Sequence, residues 1–240
     1  MESTGPDPRR WQALALVCVA FFMTVLDVSI VNVALPSIKT SLNVSESTLQ
    51  WVLIAYTITF GGLLLLGGRA ADLLGRRRMF MIGMALFSAA SLVCGLAGSI
   101  GLLIAARAVQ GVGAAIVSPA TLAIITTAFE EGSERNKALG IWGAMGGSGA
   151  AAGVLFGGIL TKYAGWEWIF FVNVPVGALV LLLTRSVVRE SRIPGLRGFD
   201  AGGAVTITTS LALLVYAISK APAVGWGSGR TIGILIAAVA

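Results

Sequence analysis

Long apolar stretches separated by short charged segments dominate this sequence. A helix needs about 20 apolar residues to cross a bilayer, and seven stretches approach or exceed that length: 11–35, 48–68, 79–100, 102–125, 138–160, 166–183 and 201–219. An eighth begins near Thr231 and reaches only about half of a roughly 30 Å core by Ala240. The pattern predicts an all-α membrane protein with seven spans and the start of an eighth helix, truncated at its C-terminal end.

The composition supports lipid as the solvent of this chain. Of its 240 residues 12% are charged, about half the share in an average soluble domain. His is absent, and the only cysteines, Cys18 and Cys94, lie within apolar stretches. Nucleophile pairs that need His and His-ligated metal sites are therefore excluded. The sequence predicts no enzyme, no catalytic or metal-binding residues and no cofactor.

Basic residues collect on one side of the predicted spans. That side carries twelve: Arg9, Arg10, Arg69, Arg76, Arg77, Arg78, Arg135, Lys137, Arg185, Arg189, Arg192 and Arg197. The opposite side carries Lys39, Lys162, Lys220 and Arg230. The positive-inside rule then predicts a multi-pass protein of the cytoplasmic membrane with its N-terminus in the cytoplasm. The net charge of +6 is explained without a nucleic-acid partner.

Two ionisable residues lie well inside the predicted spans. Asp27 in the first span and Arg107 in the fourth are each placed roughly 8–12 Å from the same membrane surface by the helical rise. Opposite charges at similar depth indicate a direct pair or two walls of one polar cavity, and Gln110 lies one turn from Arg107. Because intramembrane charges are costly and are functional by default, we expect a proton-coupling role. A structural ion pair, or an Arg107 that extends to the surface, is the alternative.

Three glycine- or proline-containing segments suggest close packing or motion. Gly75 permits a tight reversal between spans two and three. The fifth span contains glycines four residues apart, which allow either static close packing or a hinge; they include Gly149, Gly153, Gly157 and Gly158. In the sixth span, Pro175 frees a backbone carbonyl that Asn173 can satisfy.

Four motifs, in order, resemble those of the major facilitator superfamily, and more narrowly its 14-span drug:proton antiporters. They are LDVSIVNVALP (Leu26–Pro36), GRAADLLGRRR (Gly68–Arg78), LIAARAVQGVGAA (Leu103–Ala115) and WEWIFFVNVPVG (Trp166–Gly177). The resemblance implies a six-helix N-terminal transporter half after the cytoplasmic tail. The implied segments are 1–10 for the tail, 11–185 for the half, 186–200 for a cytoplasmic linker and 201–240 for linker spans.

The resemblance also implies roles for individual residues. Proton coupling falls to Asp27 and Arg107, helix packing to Gly111, and the substrate cavity to Asn32 and Gln110. Tyr56 lies outside the four motifs and is added to the cavity as an aromatic residue. In the family, the second motif is a cytoplasmic loop that latches the bundle and helps set its conformational switch; it carries over Gly68, Asp72, Gly75, Arg76 and Arg77. The chain departs from the family pattern at Ala70, Leu73, Val154 and Glu167.

The function implied is proton-coupled export of lipophilic or amphipathic compounds by alternating access. The expected partners are the lipid bilayer, protons, a small hydrophobic substrate and a missing C-terminal half. Further aromatic residues could line the substrate pocket or face lipid and neighbouring helices: Trp51, Phe60, Phe170 and Phe171. The alternatives are a non-transporting membrane fragment or interaction module that needs the second half, and a proton-coupled importer.

Overall fold

The computed structural model describes residues 8–192 and 201–239, and every regular element within these ranges is an α-helix. The helices are α1 (Arg10–Leu42), α2 (Glu46–Leu49), α3 (Trp51–Leu74), α4 (Arg76–Gly95), α5 (Ile100–Ala128), α6 (Ser133–Tyr163), α7 (Trp168–Phe171), α8 (Asn173–Val187), α9 (Ala201–Val224) and α10 (Gly229–Val239). With α2 joined to α3 and α7 joined to α8, seven described helical segments are long and apolar enough to cross a membrane, and α10 is shorter. This confirms the predicted fold class.

Local capping explains where several helices begin and end. Asn43 adopts the left-handed conformation after α1, and the N–H of Val44 bonds the Lys39 carbonyl. The Ser99 hydroxyl accepts from the N–H of Leu102 at the start of α5. Such side-chain acceptors satisfy backbone donors that have no partner within the helix. The connections can therefore remain short.

The bundle is built around close helix pairs. Helix α5 packs extensively against α3 and α4, while α1 packs against α6 and α4 against α8. Helix α9 packs against α3, and α10 packs against α9. The six spans up to α8 thus form one bundle, and the seventh lies on its α3 side.

One end of the bundle is defined by contacts among arginines and distant segments. Arg9 donates to the carbonyl of Ser186 at 2.7 Å, and Arg10 pairs with Glu134 at 3.1 Å. At the α3–α4 junction, the N–H of Arg76 donates to the carbonyl of Ser191, just after α8. The start of α1, the α3–α4 and α5–α6 junctions and the end of α8 therefore share this side, which we call the arginine-rich end.

A polar layer separates two apolar clusters inside the bundle. The cluster nearer the arginine-rich end includes Met23 and Phe87. The other cluster, nearer the opposite end, includes Leu26 and Cys94. Asp27 follows directly after Leu26, so the first intramembrane charge lies at the boundary between the two clusters.

The structure differs from the sequence prediction in several boundaries. Gly68 and Asp72 lie inside the last turns of α3, and Arg76 and Arg77 lie in the first turn of α4. Most of the predicted loop is therefore helical, and only Gly75 separates the two helices. Gly75 has a φ of +108°, which explains how so short a break reverses the chain.

Helix α8 continues to Val187, two residues into the segment 186–200 that is predicted as a linker. Residues 193–200 of the predicted linker, which include Arg197, lie outside the described residues. The same holds for residues 1–7 of the predicted tail and for Ala240.

Candidate functional site

The two intramembrane charges form a direct ion pair. Nη1 of Arg107 on α5 donates to Oδ2 of Asp27 on α1 at 2.5 Å. Both side chains are sealed from solvent, with exposed fractions of 1% and 0%. A buried pair survives only when its remaining hydrogen-bonding capacity is used, so the surrounding groups are part of the site.

Amide and hydroxyl groups surround the carboxylate. Nε2 of Gln110 donates to Oδ1 of Asp27 at 2.8 Å, and Nδ2 of Asn173 donates to the same oxygen at 3.2 Å. The two amides also donate to Ser91 Oγ, which itself donates to the carbonyl of Phe170. Four helices, α1, α4, α5 and α8, therefore contribute side chains to one buried polar network.

The role predicted for Asn173 is corrected by this geometry. Its amide nitrogen donates to Asp27 and Ser91 instead of satisfying the carbonyl freed by Pro175. Within the described residues its Oδ1 is buried without a hydrogen-bond partner. Ser91 was missed by the sequence analysis because a single serine in an apolar span carries no distinctive pattern.

Aromatic and backbone groups enclose the Arg107 side chain. The guanidinium carbon lies 4.2 Å from the centre of the Tyr56 ring and 5.8 Å from that of Phe170. Its Nε donates to the carbonyl of Val52 at 3.2 Å, and Nη1 donates to Oε1 of Gln110 at 2.7 Å. Cation–π attraction is stronger when the cation is desolvated, so these contacts help to hold the buried charge.

Tyr56 connects the polar network to an apolar cavity. The cavity has a volume of about 220 Å³ and is lined by residues of α1, α3, α5 and α6, including Tyr56, Phe60, Val25 and Ser29. Tyr56 and Phe60 stack with ring centres 5.8 Å apart. The ring of Tyr56 thus contacts both the buried arginine and the cavity.

The other candidate cavity residues occupy different positions. Asn32 lies on an exposed face of α1 and donates to the carbonyl of Val28 in its own helix. Trp51 lies beside Lys220, whose amine is 4.7 Å from the ring centre. Phe170 is fully buried. None of these three lines the 220 Å³ cavity.

The predicted latch connects α3 and α4 with two other segments of the arginine-rich end. Arg76 pairs with Asp72 at 3.0 Å and also bonds the hydroxyl of Thr127 at the end of α5. Its backbone N–H donates to the carbonyl of Ser191 at 2.9 Å. Gly68 lies against Pro119 of α5, to which an added Cβ would come within 3.4 Å. The motif therefore ties α3 and α4 to α5 and to the segment after α8.

Glu190, which was not predicted from the sequence, contacts the predicted latch. Its carboxylate accepts from the backbone N–H groups of Arg77 and Arg78, each at 3.1 Å, and pairs with the Arg77 side chain at 3.7 Å. An added Cβ on Gly75 would lie 2.7 Å from Oε1 of Glu190. No sequence signal links residue 190 to the start of α4, because the two are joined only by tertiary folding.

The glycines of α6 separate into two kinds. A Cβ added to Gly149, Gly153 or Gly157 would lie 3.1 Å or less from an atom of α1. A Cβ added to Gly158 would have no neighbouring atom within 4 Å. The first three therefore permit close approach of α1 and α6, and Gly158 does not belong to that interface. Gly111 permits a similar approach of α5 to α3, where an added Cβ would lie 2.5 Å from the Tyr56 carbonyl.

The all-helical bundle, the buried charge pair and the glycine-lined helix contacts define a multi-pass membrane transporter fold. The family model of the Major Facilitator Superfamily matches residues 17–240. The chain belongs to this superfamily, whose members are transporters rather than enzymes.

Similar proteins are named for antibiotic resistance, multidrug resistance or antibiotic export. The chain is 47% identical over 235 residues to the puromycin resistance protein pur8 of Streptomyces alboniger, covering 98% of this chain and 46% of that protein. It is 45% identical over 217 residues to the cephamycin export protein CmcT of Amycolatopsis lactamdurans, covering 90% and 45%. The multidrug resistance protein Stp of Mycobacterium tuberculosis is 44% identical, with 94% and 42% covered. The chain spans about half the length of these relatives.

Solved structures support the fold. A bacterial homologue of the human lysosomal transporter Spinster, in an inward-facing and unoccupied conformation, matches with a TM-score of 0.68 at 18% identity, covering 98% of this chain and 61% of that one. The POT family transporter PepTSo matches with a TM-score of 0.68 at 14% identity, covering 95% of this chain and 50% of that one. At these identities the likeness concerns the fold alone.

Proposed function

We propose that this chain forms one half of a transporter that exports small hydrophobic or amphipathic compounds in exchange for protons. The single observation that carries the proposal is the sealed Asp27–Arg107 pair within the membrane-spanning bundle. A carboxylate held at this depth is costly and is functional by default. The export direction rests on the name of a similar protein, the cephamycin export protein.

The polar network can serve both protonation states of Asp27. In the structure, Gln110 and Asn173 each donate to the carboxylate. Rotation of a side-chain amide by 180° exchanges its donor for its acceptor, and the Oδ1 of Asn173 has no donor within the described residues. An amide turned in this way accepts from the protonated carboxyl. In our mechanism, protonation releases Arg107 from Asp27 and changes how α1 packs on α5.

The apolar cavity beside Tyr56 is proposed as one wall of the substrate pathway. Its volume of about 220 Å³ is below the roughly 300–1,000 Å³ of a typical ligand pocket. A pathway between two helical halves provides the remaining wall. A substrate against Tyr56 contacts the ring that covers Arg107, which gives a physical route from substrate binding to the ion pair.

The decisive test is Asp27→Asn in a full-length transporter that carries these residues as its N-terminal half. The amide keeps the size of the side chain but cannot release a proton at physiological pH. We expect pH-driven uptake of a hydrophobic dye by everted membrane vesicles to fall to background, while the protein remains folded. The matched control is Glu131→Gln, because the Glu131 side chain is 90% exposed. Undiminished pH-driven uptake by the Asp27 variant would refute proton coupling through this residue.

We further propose that the arginine-rich end faces the cytoplasm. Arginines concentrate at the start of α1, the α3–α4 junction and the end of α8, as the positive-inside rule requires. A cysteine introduced at exposed Glu130 is expected to react with an impermeant thiol reagent only in everted vesicles. A cysteine at exposed Glu46, in the α1–α3 connection, is expected to react only in right-side-out vesicles.

A further inference from the structure

A groove with a charged mouth and an apolar wall lies between α4 and α8 at the arginine-rich end. Its volume is about 530 Å³. Its mouth is formed by Arg77, Arg78, Arg185 and Glu190, and its wall by Met81, Ile82, Ala85 and Leu181. Neither the ion pair nor the apolar cavity beside Tyr56 shares a residue with it. The groove is therefore independent of the residues to which we assign transport.

The positive charge at the mouth is not neutralised. Glu190 is the single carboxylate in the lining, and it is engaged by two backbone N–H groups and by Arg77. Within the described part of the chain, the side chains of Arg78 and Arg185 have no carboxylate within ion-pair distance. Two exposed guanidinium groups therefore face the groove and remain available to an anion, which they would bind through charge-assisted hydrogen bonds.

The apolar wall continues from the mouth into the membrane-spanning part of α4. Ala85 lies seven residues beyond Arg78, or roughly 10 Å along the helix. Ile82 is 45% exposed, and Ala85 is also exposed. Helix α9 packs against α3 instead of covering this face. The groove therefore offers cationic groups at the membrane surface and an apolar track beneath them.

We propose that this groove binds one anionic glycerophospholipid, with its phosphate between Arg78 and Arg185 and one acyl chain along Ile82 and Ala85. Basic pockets between helices at the membrane surface recognise such headgroups, and nearby arginines increase the attraction. A soluble anion satisfies the mouth but leaves the apolar track empty. A zwitterionic lipid fills the track but places its own cation beside the arginines.

The test compares lipid retention by the purified 240-residue chain in native mass spectrometry. The probes are phosphatidylglycerol and phosphatidylcholine with identical acyl chains. We expect preferential retention of one phosphatidylglycerol. In the double variant R78Q/R185Q the apparent affinity for this lipid is expected to fall about 30-fold. The matched control is R69Q/K137Q, which removes the same charge from the same end of the bundle but outside the groove, and which keeps the preference.

A second variant tests the apolar track while leaving every arginine in place. Ala85→Phe fills the track, so we expect weaker retention of phosphatidylglycerol without a change in surface charge. Equal losses in the double variant and its charge-matched control would assign the effect to general electrostatic attraction and overturn the proposal. Unchanged retention by Ala85→Phe, or complete displacement of the lipid by inorganic phosphate, would overturn it as well.

Discussion

At the scale of single residues, the chain concentrates its polar chemistry at one buried point. Asp27 receives donors from Arg107, Gln110 and Asn173, which lie on two other helices, α5 and α8. Taking such charges out of water costs several kcal/mol per ion, which the pair recovers only through good geometry and additional hydrogen bonds. The network is thus both a stability requirement and the proposed coupling site.

The ion pair predicts an asymmetry between single and double substitutions. Asp27→Leu leaves Arg107 as an uncompensated buried charge, so we expect the free energy of unfolding to fall by about 3–5 kcal/mol. Adding Arg107→Met removes that charge, and the double variant is expected to regain most of the loss. The free energies of unfolding of both variants are measured on the 240-residue chain in detergent, with the loss of helicity as the signal. A double variant no more stable than the single one would contradict the interpretation.

At the scale of helices, close approach depends on which face each glycine occupies. Gly153 lies directly against α1, where an added Cβ would be 2.6 Å from that of Ser29 and 2.9 Å from the Leu26 carbonyl. Gly158, five residues later on the same helix, has open space around it. Helix α6 is continuous from Ser133 to Tyr163.

These two glycines form a matched pair for substitution. Gly153→Ala is expected to destabilise the bundle by about 1–3 kcal/mol through overpacking against α1. Gly158→Ala meets no neighbour, so we expect a stabilisation of about 0.5–1 kcal/mol from the lower backbone entropy of the unfolded state. Thermal unfolding of both variants in the same detergent provides the comparison. Similar effects of the two substitutions would argue against the α1–α6 contact.

The latch predicts a local effect at the start of α4. Glu190→Ala removes the acceptor for the N–H groups of Arg77 and Arg78, and losing such a cap costs about 0.5–2 kcal/mol. We expect amide hydrogen exchange to accelerate in residues 76–80, where the helix begins, and to stay unchanged in the core of α5. Glu131→Ala is the control, because its side chain is 90% exposed. Unchanged hydrogen exchange at the start of α4 would show that Glu190 does not stabilise this end of the helix.

At the scale of the whole molecule, the chain supplies one helical bundle with a seventh span beside it. The similar proteins are about twice as long, since the chain covers 46% of the puromycin resistance protein. Transporters of this kind place their substrate site between two repeats. The cavity beside Tyr56 fits one side of such a site.

This arrangement predicts that the 240 residues alone do not carry out coupled transport. We expect proteoliposomes containing only this chain to show no substrate-dependent proton flux, measured with an internal pH-sensitive dye. Co-reconstitution with the C-terminal half of a similar exporter tests whether a complete pathway restores the flux. Coupled flux from the 240-residue chain by itself would contradict the half-transporter proposal.

The sequence by itself determined the class of the molecule. Apolar stretches of spanning length set the number of membrane-spanning segments, because lipid requires every backbone polar group to bond within its own helix. The rarity of charges inside those stretches drew attention to Asp27 and Arg107, and four ordered motifs indicated the superfamily that the family model then confirmed. Each of these signals is local or compositional.

Only the tertiary structure decided which faces of the helices meet. A spanning helix is apolar on its lipid side and on its packed side alike, so periodicity does not distinguish Gly153 from Gly158 or reveal that Asn173 reaches Asp27. Glu190 and the start of α4 are more than 110 residues apart in sequence. Their contact depends on how helices rotate and pack, a three-dimensional outcome that hydropathy along the chain does not encode.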